Sequence, residues 1–63
     1  MKFYGILNDD GEIIKKSFCP DDCDIITALG HFPEPGTRYT TGRGETEQDA
    51  EKSAKYSFTT TIN

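Results

Sequence analysis

Short apolar runs separated by clusters of turn residues dominate the start of the chain. Lys2–Leu7 (KFYGIL) and Glu12–Phe18 (EIIKKSF) are rich in aromatic and branched residues, and Asn8-Asp9-Asp10-Gly11 lies between them. Apolar runs around an Asx/Gly cluster predict a β-hairpin. With a side-chain period of two, Phe3, Gly5 and Leu7 share one face, while Tyr4 and Ile6 share the other. Both faces carry apolar groups, so the hairpin is expected to be covered on one side and contacted on the other.

Cys19–Asp24 (CPDDCD) breaks the pattern, because proline and stacked aspartates favour turns. Residues 20–29 then admit two readings. Ile25, Ile26 and Leu29 suit one helical turn, with Asp21 and Asp22 near its positive end and Gly30 as a stop. Ile-Ile-Thr equally suits a short strand, and extended or irregular chain is the reading adopted here. Gly30–Gly36 (GHFPEPG) holds two prolines and two glycines and reads as an ordered loop. Thr37–Thr41 (TRYTT) has strand composition and Gly42-Arg43-Gly44 punctuates it.

One helix is predicted over 45–56. Thr46 can cap it, with Asp49 three residues on. Acids crowd its early turns, Lys52 and Lys55 its late ones, as the helix dipole prefers. Ala50, Ala54 and Phe58, or Ser53 and Tyr56, supply a narrow apolar stripe of mostly small residues, so this helix should lie close to a sheet. Phe58–Ile62 (FTTTI) predicts a terminal strand. The expected fold is a small α+β domain over residues 1–63: an N-terminal hairpin, a third short strand, one helix and a C-terminal strand.

Length limits what such a domain can do. A chain of 63 residues buries only about 60% of the surface its unfolded form exposes, and folds of this size often lean on a disulfide, a metal or a partner. The two cysteines, Cys19 and Cys23, are spaced C-x3-C, which fits neither the redox C-x2-C motif nor, with His31 as the sole histidine, a full zinc set. They are expected to be reduced, at least one of them partly buried. No cofactor or metal is expected. Net charge is −4 with a pI near 4.7, and Lys15-Lys16 is the only adjacent basic pair, which disfavours nucleic acid. No apolar run approaches the roughly 18 residues of a membrane span.

Motifs for chemistry are sparse. Asp9-Asp10-Gly11-Glu12 does not fit a calcium loop, and Gly42-Arg43-Gly44 lacks the rest of a phosphate-binding motif. Glu45, Glu47 and Asp49 would also repel an anion at that helix start. No spacing joins His31 to a serine or cysteine as a nucleophile pair, so a non-enzymatic role is expected. The seven aromatics exceed what so small a core can house, and aromatics with arginine favour interface centres. The candidate contacts are Tyr4, Ile6, Phe32, Arg38 and Tyr39, with Glu47, Asp49 and Glu51 on the acidic helix.

From Tyr4 to Gly42 the chain resembles a module at the N-terminal end of phage tail-fibre and tail-associated proteins. The residues concerned are Tyr4-Gly5-Ile6, Asp10-Gly11, Cys19-Pro20-Asp21-Asp22, Gly30, Pro35-Gly36, Tyr39 and Gly42. The resemblance implies a virion accessory protein that docks on a tail component. A helix and strand here replace the longer fibre region. Thr37–Ser57, through Gly42-Arg43-Gly44-Glu45-Thr46, Asp49-Ala50-Glu51 and Ala54, is similar to the last strand and helix of double-stranded-RNA-binding domains. It is similar too to the β-β-β-α module of HicB-type antitoxins. The phosphate-gripping lysines of the RNA-binding family are replaced by Glu47 and Gln48. The expectation is a tail accessory protein, with an acidic inhibitor or antitoxin-like protein as the alternative. Its partner would be a protein or a second copy of the chain, not nucleic acid or membrane. Met1 reads as a true start with no signal peptide behind it, which places the chain in the virion or the host cytoplasm.

Overall fold

A computed structural model describes residues 1–63. Six elements follow in the order β1 (Lys2–Leu7), β2 (Ile13–Cys19), α1 (Ile25–Leu29), β3 (Arg38–Arg43), α2 (Glu47–Lys55) and β4 (Thr60–Thr61). The four strands form one antiparallel sheet in the order β2-β1-β3-β4, giving an α+β domain. The chain therefore crosses over β1 between β2 and β3, and α1 lies in that crossover.

The hairpin forms around Asn8 more than around its aspartates. The Asn8 side-chain oxygen accepts the N–H groups of Asp10 (3.0 Å) and Glu12 (2.9 Å), and Gly11 takes the positive φ of 84° that the turn requires. Pairing runs Ile6 to Lys15 and then Leu7 to Ile13, so Ile14 is the extra residue of a β-bulge and stands 65% exposed.

Register divides the sheet into two faces. Phe3 pairs with both Phe18 and Gly42, and α2 rests on this face. Its small-residue stripe, Ala50 and Ala54, closes over Phe3, and all three are essentially buried. Phe18 tilts against Phe3 at 5.1 Å between ring centres. Gly42 makes the close approach possible, because a Cβ there would strike the α2 backbone at Ala50 and Ala54. Thr40, also buried, donates its hydroxyl to the Ala54 carbonyl at 2.7 Å and fastens the helix end to the sheet. The Thr46 hydroxyl caps the helix by accepting the Asp49 N–H.

The stripe ends sooner than the sequence predicts. Tyr56 terminates α2, so Phe58 leaves the helical face and is 97% exposed. The terminal strand shrinks to two residues.

Two further expectations are corrected. Residues 25–29 are helical, not extended: the Asp24 carboxylate accepts the Thr27 N–H at 2.8 Å, and Gly30, at φ 80°, donates to the Ile26 carbonyl at 2.8 Å. Two good caps outweigh the strand preference of two isoleucines over a single turn. Cys19 and Cys23 are joined in a disulfide, with their Cα atoms 6.3 Å apart, because the Pro20–Cys23 turn folds the chain back at the end of β2.

Candidate interaction surface

The second face of the sheet carries Tyr4, Ile6, Lys15, Ser17, Tyr39 and Thr41. The crossover covers part of it. The Tyr4 hydroxyl and the Lys2 ammonium both donate to the Cys23 carbonyl, at 3.4 and 3.2 Å, and Tyr39 lies 6.1 Å from the Tyr4 ring. Tyr4 is consequently 5% exposed. This corrects its assignment as a surface contact, since the aromatic opposite Phe3 is used by the fold itself. The disulfide loop is tied down as well, by the Met1 ammonium on the Asp21 carboxylate and by Arg43 on the Asp21 carbonyl.

Beyond Tyr4 the cover is incomplete. A groove of about 340 Å³ opens between the sheet and the proline loop. Ile6 of β1, Lys15 of β2, Leu29 at the end of α1, and Phe32, Glu34 and Thr37 of the loop line it, with His31 and Pro33. Pro33 is buried and anchors the loop, while Phe32 beside it is 69% exposed. The loop is clamped at its far end. Gly36, at φ 89°, donates to the Ile62 carbonyl at 2.7 Å, Ile62 donates to the Thr37 carbonyl at 2.8 Å, and Thr37 donates to the Glu34 carbonyl at 3.1 Å. The groove is thus apolar in its floor and charged at its margins, the usual form of a recognition site. β2 borders it as an edge strand, its outer backbone unpaired.

The sequence-predicted contacts divide between the two faces. Ile6 and Phe32 meet in the groove. Tyr39 is half-buried against Tyr4, and Arg38 is half-buried with its guanidinium donating to the Asn8 carbonyl at 2.6 Å, which braces the hairpin turn. Glu47, Asp49 and Glu51 belong to α2 on the opposite side of the sheet. Glu47 and Asp49 are exposed, while Glu51 is held by Lys16 at 3.0 Å and Lys55 at 3.7 Å. Lys15 and Pro33 belong to the hairpin and the proline loop expected as contact surfaces, whereas Leu29 joins them only because of where the crossover lands. Tyr56 is 83% exposed near the C-terminus, with Phe58.

Three carboxyls are held below the ordinary carboxylate range. The N-terminal ammonium does this for Asp21 by a hydrogen bond and its charge, the Thr27 backbone N–H does it for Asp24, and the Lys16 ammonium does it for Glu51. None of them lines the groove. No helix is long and apolar enough to cross a membrane. With both sulfurs in the disulfide, no thiolate is left to ligate a metal beside His31, whose ring instead stands 3.2 Å from the Leu29 carbonyl. No family model matches the chain, and no curated protein or solved structure is significantly similar to it.

Proposed function

We propose that the chain acts without catalysis, by protein–protein contact, as a small accessory structural subunit of the phage-tail type that docks through the groove between hairpin and proline loop. The observation that carries the contact reading is Phe32. A large aromatic side chain, 69% exposed, is carried by a loop anchored at buried Pro33 and clamped at its far end, in a groove shared with half-buried Ile6 and bordered by an edge strand. Aromatic anchors on rigid supports dominate binding energy at interfaces. The tail assignment is supported by the turn-and-strand resemblance over Tyr4–Gly42.

A photo-crosslinker at position 32 tests it. In producing cells the chain should sediment with particle-sized assemblies and cross-link to one protein of the particle, a neighbouring copy of the chain included, and Phe32→Ala should release it. Recovery only in light fractions, with no cross-link, would refute the reading. A second reading draws on Glu47 and Asp49, which are exposed and outside every ion pair: an inhibitor or antitoxin-like protein gripping a basic partner. It predicts that reversing both charges abolishes such binding. Unchanged binding would eliminate it.

A further inference from the structure

We propose that the groove takes a second copy of this chain, forming a two-fold dimer in which each Phe32 enters the other's groove and each Lys15 faces the other's Glu34. The inference rests on reading the groove as a contact surface and names its occupant.

Three observations favour a copy over another partner. The first is the placement of charge. Sheet order puts Lys15 on the β2 flank of Ile6, whereas Glu34, joined to Thr37 at the entrance of β3, stands on the opposite flank. Both are exposed, and neither belongs to an ion pair within the chain. A two-fold axis along the groove turns one copy over onto the other and lays each positive flank on a negative one. The second observation is the pairing of knob and hollow. Phe32 protrudes next to a cavity whose volume, about 340 Å³, exceeds that of a phenylalanyl side chain. An isologous contact uses that pairing twice. The third is the mixed sign of the groove, where the formal charges of Lys15 and Glu34 cancel, so that the repulsion expected between two copies of net charge −4 is weakest at this surface. A uniformly acidic or basic partner would satisfy one of these charges and oppose the other.

Sedimentation equilibrium of the full chain should show a reversible monomer–dimer equilibrium. Phe32→Ala should raise the dissociation constant by about 100-fold or more, as expected for removing two central aromatics at once. Lys15→Glu and Glu34→Lys should each be monomeric, with the circular dichroism of the parent chain, since both residues are exposed. Mixed in equal amounts, the two variants should dimerise, because the heterodimer restores both opposite-charge contacts. The proposal is overturned if the parent chain stays monomeric, if either single variant dimerises like the parent, or if the mixture remains monomeric. A monomeric parent chain that still cross-links from position 32 to a particle protein would overturn self-association alone. A dimer that never enters particles would overturn the tail reading alone.

Discussion

Replacing Gly42 by alanine tests the contact on which the fold depends. In an ordinary strand this change should stabilise, because glycine costs about 0.5–1 kcal/mol relative to alanine inside a strand. At Gly42 the sign should reverse. The new methyl would meet the Ala54 N and Ala50 O atoms and lie 2.8 Å from the Ala54 Cα, where carbon atoms prefer about 3.5–4.0 Å. Because the obstruction is backbone, no side chain can swing aside, and α2 must lift by about 1 Å, enough to forfeit up to half of the dispersion contacts across the gap. Ala50 and Ala54 would separate from Phe3, whose burial they complete. Overpacking of this kind costs about 1–3 kcal/mol, and the upper end applies here. A chain of this length has a total stability of roughly 3–9 kcal/mol, and each kcal/mol shifts its melting temperature by about 4–8 °C. Thermal and urea unfolding followed by circular dichroism should therefore show a loss of about 3 kcal/mol. Adding Ala54→Gly should not restore it, since the obstruction is not the Ala54 methyl. A Gly42→Ala chain as stable as the parent, or more so, would show that α2 does not sit on β3 in this way.

Three other outcomes are expected. Phe3→Ala should cost about 3–5 kcal/mol and leave the chain largely unfolded, whereas Phe58→Ala, at a position 97% exposed, should stay within about 0.5 kcal/mol of the parent; equal losses in urea titrations would contradict the assigned core. Reducing the Cys19–Cys23 disulfide, whose ring spans only residues 19–23, should lower stability by about 2 kcal/mol on the chain-entropy account, and unchanged urea midpoints, with reduction verified by mass, would remove its role as a staple. Asp21, Asp24 and Glu51 release protons more readily folded than unfolded, so their contributions are complete above about pH 5 and are lost as pH falls through 4 and below. Asp24→Asn keeps a cap but removes one titrating group, so it should preserve the neutral-pH midpoint and shrink the acid loss; an acid response identical to the parent's would exclude Asp24 from it.

Local chemistry made the hairpin and α2 legible. Asn8 through Gly11 carries its own turn hydrogen bonds, and Thr46, the early acids and the late lysines specify a helix without reference to anything distant. Residues 25–29 were misread because propensity and capping disagree within one turn there, and Asp24 with Gly30 decided it. The disulfide was not legible: the Cys19–Asp24 break marks a local turn, but C-x3-C has no strong bonding signature, and a turn alone does not say that the two sulfurs are joined. The site was half legible. Alternation placed Ile6 on the correct face and the prolines marked Phe32, but the same alternation promoted Tyr4, which the crossover buries. The central position of β1 between β2 and β3, and with it the place of Lys15 in the groove, depends on non-local pairing that no short segment encodes.

The small helix face also accounts for which aromatic is available to a partner. Two alanines over Gly42 bring α2 so close to the sheet that Phe3 and part of Phe18 fill the space between them. The remaining aromatics must find other places. Tyr4 and Tyr39 pack at a tilt on the second face, while Phe32, Tyr56 and Phe58 stay out. Exposure alone would favour Phe58. Binding, however, charges for lost freedom at roughly 0.5–1.5 kcal/mol per immobilised side chain, with more for an ordered loop. Phe58 follows the end of α2, between exposed Ser57 and Thr59, and precedes a strand of only two residues. Phe32 adjoins buried Pro33 in a loop clamped through Gly36, Thr37 and Ile62, so most of that cost is already met in the free chain. Phe32→Ala should therefore abolish partner cross-linking from a probe at His31, which lines the same groove, while Phe58→Ala leaves it intact. The reverse order would move the contact surface to the C-terminal end of α2.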